Sequence, residues 1–455
     1  MPDTIAAIAT GGVVAAIGIL RVSGDDTLPI IDKVFKPISG KPMSSYPNRQ
    51  LVYGNMVDAD GTILDICLCT ISRGPGSYTG EDTAELQTHG SPVVLRAGLE
   101  ALFAAGARQA RAGEFSKRAF LNGRMDLTQA EAVIDIIHSE TAEAAKNAVG
   151  QLNGAILNKT DGIYNALVEI CSHYHAVLDY PDEDIEDFQL ADYESTLDDA
   201  ITQLRRLKDT FNRGRIMTEG VKAAIIGKPN AGKSSLLNAL LGYERAIVTD
   251  IAGTTRDTIE ERVRLGNVLI RLTDTAGIRQ TDDTVEKIGV DRALTTAKSA
   301  DLVIAVFDSS TELTEEDYNA MEAAAACEKS IAVLNKSDLE QVVTADLLAE
   351  KFTKVCVLSA KQQTGLTALE EAVAELFPTP DAPVGEILTN ARHADAVGRA
   401  LESLHAAKDA MAMGITPDAV LTEAEEAMGA LGELTGKTIR EDVTNRIFSR
   451  FCVGK

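Results

Sequence analysis

The residues whose types and spacing most clearly predict chemistry lie in GKPNAGKS at 227–234, which follows the apolar run VKAAII. This stretch matches the phosphate-binding pattern G-x-x-x-x-G-K-[ST], which joins a strand to a helix. Its glycines allow backbone N–H groups to close around phosphates, Lys233 can reach the β and γ oxygens, and the Ser234 hydroxyl can bind Mg²⁺. The pattern predicts a site for a nucleoside triphosphate.

A second motif, DTAG at 274–277, follows the apolar run VLIRL. Asp274 can hold the water shell of the metal ion, and the Gly277 amide can sense the γ-phosphate. The loop TDIAGTTRD at 249–257 has the composition of a switch loop, in which Thr255 would offer Mg²⁺ a second hydroxyl. An ordinary turn is the alternative for this loop. No glutamine directly follows DTAG, so another side chain must orient the attacking water.

Two later motifs select the base. NKSD at 335–338 follows SIAVL, and the Asp338 carboxylate can accept hydrogen bonds from N1–H and the 2-amino group of guanine. Adenine cannot offer that pair, so the motif favours GTP over ATP. SAK at 359–361 stands where a base-supporting loop usually lies. The residues predicted to contact GTP are Asn230, Ala231, Gly232, Lys233, Ser234, Ser235, Thr249, Thr254, Thr255, Asp274, Thr275, Ala276, Gly277, Asn335, Lys336, Asp338, Ser359, Ala360 and Lys361.

The elements that must position these motifs alternate between strands and helices from 218 to 380, as in a doubly wound, mainly parallel sheet. Residues 1–120 show short β-rich runs with helices between them, which predicts a mixed α/β domain. The segments 121–217 and 381–455 have helical periodicity, interrupted by the acidic turn at 179–188, a predicted hinge. Helices on both sides of an α/β domain favour one helical domain with the α/β domain inserted into it. The expected fold class is α/β plus all-α.

Composition narrows the function classes. With 455 residues the chain can form about three domains, and its formal charge of −24 argues against broad non-specific binding to RNA or anionic membranes. The six cysteines show no CxxC pair, which fits a reducing cytosol, and Cys67 and Cys69 are expected to share one buried strand face. The uncharged stretch 4–20 is too short for a membrane span and is better explained by two buried strands joined at Gly-Gly. We expect a soluble, cytoplasmic protein.

Motifs spread over the whole chain resemble the tRNA uridine 5-carboxymethylaminomethyl modification GTPases, the MnmE or TrmE family. The resemblance rests on the nucleotide motifs and on DTIAAIAT at 3–10, LRVSG at 20–24, TGEDTAE at 79–85, GEFSKRAFLNGRMDLTQAEAV at 113–133 and FCVGK at 451–455. It implies a cytoplasmic homodimer with an N-terminal domain for tetrahydrofolate binding and dimerisation, a helical domain and an inserted GTPase domain. It also implies hydrolysis activated by potassium and by dimerisation of the GTPase domains.

The resemblance implies a reaction as well. With an FAD-dependent partner of the MnmG or GidA type, which uses NADH, the family adds a carboxymethylaminomethyl or aminomethyl group to C5 of the wobble uridine of certain tRNAs. The one-carbon unit comes from 5-formyltetrahydrofolate or a related folate. The family's potassium ligand corresponds to Asn230, with Thr249, Ile251 and Thr254 in the loop that closes over the ion. Its water-orienting carboxylate corresponds to Glu286, although local sequence alone would suggest a turn former at Asn230 and a solvated helix residue at Glu286.

The residues that meet folate in the family correspond to Arg21, Glu85, Arg124 and Lys455. A pterin presents the same amino-pyrimidinone edge as guanine, so Glu85 can pair with it, and cations suit the glutamate tail. Surface solvation is the alternative for Arg21 and Arg124. The basic segment 107–124 could face folate carboxylates or tRNA phosphates.

Two segments near the chain ends carry further expectations. The glycine loop within 9–18 lacks the proline and arginine usual in the family, which bears on how folate enters. The tail FCVGK lacks the residues of a prenylation signal, and the resemblance places it near folate. Cys452 is therefore predicted to act as a nucleophile, acid or ligand in one-carbon transfer, with simple packing as the alternative.

Two other function classes remain open at this point. A regulatory ribosome-assembly GTPase would perform no chemistry of its own, but it would normally carry an RNA-binding module, and no basic GXXG loop follows the GTPase motifs. A membrane-remodelling GTPase would need an amphipathic or lipidated surface.

Overall fold

The computed structural model describes residues 3–11, 13–179, 190–243, 261–272, 297–378, 382–414, 417–438, 441–449 and 451–454. The loop 249–257, the DTAG motif, Glu286, Lys455 and nearly all of the acidic turn lie outside these residues. The chain divides into two units. One comprises Met1–Ile134, Gln151–Leu197 and Arg399–Lys455, and the other comprises Asp135–Gly150 and Asp198–Gly398.

Helices occur along the whole described chain. They are α1 (Thr27–Val34), α2 (Pro92–Ala105), α3 (Glu114–Leu121), α4 (Leu127–His138), α5 (Ala142–Leu152), α6 (Ala155–Asp179), α7 (Leu190–Asp209), α8 (Phe211–Glu219), α9 (Lys233–Tyr243), α10 (Glu315–Ala324), α11 (Asp346–Ala349), α12 (Leu366–Leu376), α13 (Ala391–Ala412), α14 (Pro417–Thr435) and α15 (Glu441–Phe448), with a short 3₁₀ helix at Met43–Ser45. Helices α4 to α8 precede an α/β region and α13 to α15 follow it. Helices α6 and α14 lie in one unit and the α/β region between them lies in the other, as the insertion expected from the sequence requires. Among the described residues, no helix combines the length and apolar character that a membrane span requires.

The first unit contains a seven-stranded sheet. Its strands are β1 (Ile5–Ile8), β2 (Ala15–Ser23), β3 (Phe35–Pro37), β4 (Val52–Val57), β5 (Ile63–Ser72), β6 (Thr83–Gly90) and β7 (Arg108–Gln109). They lie in the order β3-β4-β5-β6-β2-β1-β7, and only β1 and β7 pair in parallel. The sheet and its helices form the mixed α/β domain expected at the N-terminus.

Buried and partly exposed side chains alternate along β5, so one face of this sheet is packed and the other is open. Cys67, Cys69 and Ile71 are buried in the core that α1 and α2 cover, as expected for the two cysteines. Burial raises the pKa of the Cys67 thiol to about 12, so it packs as a neutral hydrophobe. Thr70 and Ser72 are partly exposed on the opposite face. That face is available for a ligand.

The uncharged N-terminal stretch forms two antiparallel strands, β1 and β2, as expected. The expectation that both are buried is wrong at the start of β2, where Ile17 is 62% exposed. Val13 and Val14 before it are 74% and 83% exposed. Only some of the apolar residues of this stretch therefore pack in the core.

The second unit contains a six-stranded sheet. Its strands are β8 (Val221–Ile226), β9 (Glu261–Leu265), β10 (Val268–Leu272), β11 (Leu302–Asp308), β12 (Ser330–Asn335) and β13 (Lys354–Val357). They lie in the order β13-β12-β11-β8-β10-β9, and only β9 and β10 pair antiparallel. The doubly wound, mainly parallel sheet expected from the sequence is confirmed.

Both faces of this sheet are buried, as parallel sheets require. In β11, Ile304 and Val306 belong to the core that α9 and α12 cover, whereas Ala305 and Phe307 pack with α10 and α11 on the other face. The loops at the carboxyl ends of β8 and β12 carry GKPNAGKS and NKSD. This edge is where open α/β sheets bind ligands.

Candidate functional site

The phosphate loop connects β8 to α9, and its backbone requires glycine at two positions. Gly227 has φ +143°, and a Cβ there would lie 2.3 Å from the Val306 carbonyl oxygen. Gly232 has φ +100°, and its Cβ would lie 2.0 Å from Nδ2 of Asn335. Asn230 is exposed and also adopts a left-handed conformation, with φ +61°. The loop therefore has the tight, amide-exposing geometry that phosphate binding uses.

Lys233 is held inside this loop by backbone carbonyl groups. Its Nζ donates hydrogen bonds to the carbonyl oxygens of Gly227 and Lys228, both at 2.8 Å. Burial lowers the pKa of Lys233, and the charge of Glu316 opposes that shift. The ammonium is thus oriented before any phosphate arrives. Ser234 follows it in α9 and is partly exposed, as the predicted Mg²⁺ ligand must be.

Asn335 joins the phosphate loop to the base-supporting loop. Its side chain is buried, its Nδ2 donates to the Ala231 carbonyl oxygen at 3.0 Å, and its Oδ1 accepts from the Ala360 amide at 3.0 Å. Ala231 and Ala360 are buried as well. Two hydrogen bonds therefore bring three predicted GTP residues together. The buried Asn335 side chain joins the two loops to each other and is not exposed to a ligand.

Asp338 is poised as an ionised acceptor. The Ser359 hydroxyl donates to its Oδ1 at 2.6 Å, and this hydrogen bond is the main cause that lowers the pKa of Asp338. Asp338 and Lys361 are exposed, whereas Ser359 is fully buried. An exposed carboxylate on a fixed support can accept the N1–H and 2-amino donors of guanine.

Lys336 has a partner that the sequence did not reveal. Its backbone is left-handed, with φ +66°, and its Nζ contacts Oδ2 of Asp308 at 2.5 Å. Asp308 ends β11 and is buried, and its hydrogen bond from Lys336 lowers its pKa against the opposing effect of burial. The parallel pairing of Asp308 with Asn335 across β11 and β12 brings these residues together.

Ser235, the third residue of α9, is exposed. The other predicted GTP and metal residues lie outside the described residues: Thr249, Ile251, Thr254, Thr255, Asp274, Thr275, Ala276, Gly277 and Glu286. Among the described residues, no group of three or more His, Cys, Asp or Glu side chains could hold a metal ion. Mg²⁺ at the phosphate loop does not need such a group, because it usually keeps several waters and binds substrate phosphates.

A second candidate site lies on the open face of the N-terminal sheet. Arg21 in β2 pairs directly with Glu85 in β6, and its Nε and Nη2 donate to Glu85 Oε1 at 3.0 and 2.8 Å. The guanidinium carbon also lies 5.7 Å from the centre of the Tyr78 ring. These residues line a cleft of about 140 Å³ together with Thr70, Ser72, Thr79, Thr83 and Ala84. Surface solvation, the alternative for Arg21, is therefore wrong.

The C-terminal tail lies beside this cleft. Arg21 Nη1 donates to the Gly454 carbonyl oxygen at 3.3 Å, and Val453 forms an antiparallel bridge with Ala112. The Gly113 amide donates to the Cys452 carbonyl oxygen, while Cys452 itself is exposed. The packing alternative for Cys452 is therefore wrong, and the thiol is reachable. Its catalytic role stays a prediction.

Two arginines of the basic segment 107–124 form ion pairs within the protein. Arg108 forms ion pairs with Asp3 and Glu114, and Arg118 pairs with Asp3, Glu81 and Glu114. These contacts lower the pKa of Glu114 to about 2 against the effect of its burial. The expectation that this segment faces folate or tRNA is therefore wrong for Arg108 and Arg118.

Arg124, by contrast, is exposed beside Gly80 and does not line the cleft. Sequence reasoning also missed Tyr78 and Thr79 as part of the cleft wall. The Ser23 hydroxyl contacts Thr79 Oγ1 and donates to Glu81, which ties β2 to the TGEDTAE stretch. Thr79 begins that motif and Tyr78 directly precedes it, which was the one available signal.

Comparisons with known proteins cover almost the entire chain. The family model for the N-terminus of the GTP-binding protein TrmE matches residues 4–124, and the model for the MnmE helical domain matches residues 127–452. The tRNA modification GTPase MnmE of Clostridioides difficile strain 630 is 41% identical over 100% of this chain and 99% of its own length. Its counterpart from Thermoanaerobacter pseudethanolicus is 43% identical over the same shares.

Among solved structures, the G domain of the T. maritima FeoB iron transporter is 28% identical over 34% of this chain and 98% of its own length, with a TM-score of 0.27. The full-length relatives and the two family models show the family of this chain. The chain belongs to the MnmE family of tRNA modification GTPases.

Proposed function

We propose that this chain binds and hydrolyses GTP to drive the addition of a carboxymethylaminomethyl or aminomethyl group to C5 of the wobble uridine in certain tRNAs. It acts in the cytoplasm as a homodimer with an FAD-dependent partner that uses NADH, and it takes a one-carbon unit from a tetrahydrofolate. Residues 1–120 form the folate-binding and dimerisation domain, 218–380 the GTPase domain, and 121–217 with 381–455 the helical domain.

The observation that carries the GTP proposal is the linked pair of phosphate and base loops. The carbonyl groups that orient Lys233 lie in the loop that Asn335 fastens to Ser359–Lys361, where Ser359 supports Asp338. A guanine nucleotide contacts both ends of this arrangement at once. Direct binding of GTP, ATP and XTP to the pure chain tests the proposal, and equal affinities would contradict it.

Metal ions fit the same site. Ser234 would hold Mg²⁺ with Thr255, and Asn230 would hold K⁺ with Thr249, Ile251 and Thr254. The left-handed, exposed Asn230 places an amide oxygen at the outer side of the loop, which suits a weakly bound cation. Bound cations would supply positive charge at the phosphates, the role that an arginine finger has elsewhere. Hydrolysis should be faster in potassium than in sodium at matched ionic strength, and equal rates would contradict the K⁺ site.

A tetrahydrofolate fits the N-terminal cleft. Glu85 is partly exposed and forms an ion pair with Arg21 through Oε1, so its remaining lone pairs can accept from the amino-pyrimidinone edge of a pterin. Arg21 also binds the tail through Gly454, two residues after Cys452, so the tail lies beside the cleft. Arg124 lies outside the cleft lining and would reach only a longer ligand, such as the glutamate tail of folate.

Binding of 5-formyltetrahydrofolate to the pure chain tests the folate proposal. Glu85→Gln should weaken binding because the amide loses the charge and one acceptor, while Glu375→Gln at an exposed ion pair on the other unit serves as the control. Unchanged affinity of the Glu85 variant would contradict the assignment. A ribosome-assembly GTPase without chemistry of its own has no comparable support, because the full-length relatives are named as tRNA modification GTPases.

A further inference from the structure

A buried ion pair lies directly beside the phosphate loop. Nζ of Lys228, the second residue of GKPNAGKS, contacts Oδ2 of Asp317 at 2.7 Å, and the two side chains are 13% and 1% exposed. Exposed pairs contribute little, but breaking a buried pair leaves an uncompensated charge. The pair joins residues 89 positions apart in the sequence. It therefore fastens the loop to a different element of the sheet domain.

Lys228 connects this pair to the predicted phosphate-binding lysine. Its side chain binds Asp317, while its backbone carbonyl oxygen accepts the hydrogen bond from Lys233 Nζ at 2.8 Å. A shift of the Lys228 backbone would move one of the two carbonyl groups that orient the Lys233 ammonium. The same residue therefore contacts both Asp317 and Lys233.

Asp317 is itself firmly fixed. It is the third residue of α10, and its Oδ2 accepts from the Thr314 amide at 2.8 Å and from the Thr314 hydroxyl at 2.9 Å in a capping box. Its Oδ1 is buried, and no described residue gives it a hydrogen-bond partner. Burying such an oxygen is costly. A cap alone needs neither this burial nor the lysine, which points to a second role for the carboxylate.

We infer that Lys228 and Asp317 are positioning residues for the nucleotide phosphates: their ion pair fixes the loop carbonyl groups that hold Lys233 in place. This role deepens the proposed GTP binding and rests on it. Because the pair acts at the phosphate end of the site, its loss weakens the binding of GTP and of GDP to a similar extent. The selectivity for the base, which Asp338 sets, stays unchanged. A merely structural defect would lower stability without this pattern.

The test measures Kd for GTP, GDP and XTP on the full chain. Lys228→Met should raise Kd for GTP and GDP about tenfold, equivalent to about 1.4 kcal/mol, with the GTP to XTP ratio unchanged. Lys228→Arg keeps the charge and should stay within about twofold of the native chain. Lys354→Met removes an exposed lysine paired with Glu375 in the same unit and serves as the matched control.

A double-mutant cycle tests the route through Lys233. In a Lys233→Ala background, Lys228→Met should cost almost nothing more, because the group that it positions is gone. An equal loss in both backgrounds, or native affinity in Lys228→Met, would overturn the inference. If Lys228→Met does not fold, Asp317→Asn is the deciding variant, because its amide oxygen can still accept the hydrogen bonds from Thr314 at the start of α10. Reduced GTP affinity of this variant supports the positioning role of the ion pair, and unchanged affinity excludes it. Failure of the native chain to bind GTP would instead refute the proposed function.

Discussion

Replacing Asn335 with alanine removes the link between the phosphate and base loops. The Ala231 carbonyl and the Ala360 amide would each lose a 3.0 Å hydrogen bond, and both residues are at most 5% exposed, so water cannot easily replace the amide group. Leaving one buried polar group without a partner costs about 1–3 kcal/mol. We therefore expect Asn335→Ala to destabilise this unit by about 2–6 kcal/mol and to weaken GTP binding.

Hydrogen exchange on the full chain is the suitable assay, because it reports the free energy of opening locally and does not assume that two units unfold together. The amides of β12 and of the phosphate loop should exchange faster by the corresponding factor. Asn238→Ala in the exposed face of α9 is the matched control, and it should change stability by less than about 0.5 kcal/mol. If Asn335→Ala also stays within about 0.5 kcal/mol, the two hydrogen bonds do not join the loops as argued.

Three further outcomes follow from individual side chains. Asp338→Asn should shift preference from GTP toward XTP, because the amide can pair with a base that carries an oxygen in place of the 2-amino group; unchanged preference in nucleotide competition would contradict the guanine assignment. Burial raises the pKa of Glu114, but hydrogen bonds and ion pairs, first of all with Arg108, together outweigh burial and lower this pKa from 4.5 to about 2. The carboxylate therefore stabilises the fold fully above about pH 4.5, and this contribution is lost as the pH falls through about 2. Glu114→Gln should therefore flatten the loss of stability between about pH 4.5 and 2 in acid unfolding, and an unaltered profile would refute the shift. Cys452→Ser should leave GTP hydrolysis intact but abolish uridine modification in a reconstituted assay, whereas modification at the native rate would show that the thiol is not catalytic.

The sequence predicted well wherever the decisive interactions are local. The GKPNAGKS spacing alone implied a strand, a tight loop and a helix, because positive φ at Gly227 and Gly232 is a property of those residues and their neighbours. The shared face of Cys67 and Cys69 followed from the two-residue period of a strand.

Long-range pairings were not predictable from one sequence. Asp3 pairs with Arg108 and Arg118, more than 100 positions away, so two cations of a segment that looked like an open basic patch are paired within the protein. The Arg21 contact with Gly454 spans 433 positions. The composition of a segment gives its charge, but it does not show which acidic residue, distant in the sequence, pairs with it in the fold. The same reason hid Asp308 and Asp317 as partners of Lys336 and Lys228.

In the function proposed above, this chain couples GTP hydrolysis to modification of the wobble uridine. The most direct measurement is nucleoside mass analysis of tRNA incubated with the pure chain, its FAD-dependent partner, NADH, a tetrahydrofolate donor and glycine or ammonium. We expect the aminomethylated or carboxymethylaminomethylated uridine to form with GTP and not with GDP or a non-hydrolysable GTP analogue. Equal modification in the absence of GTP hydrolysis would contradict the account.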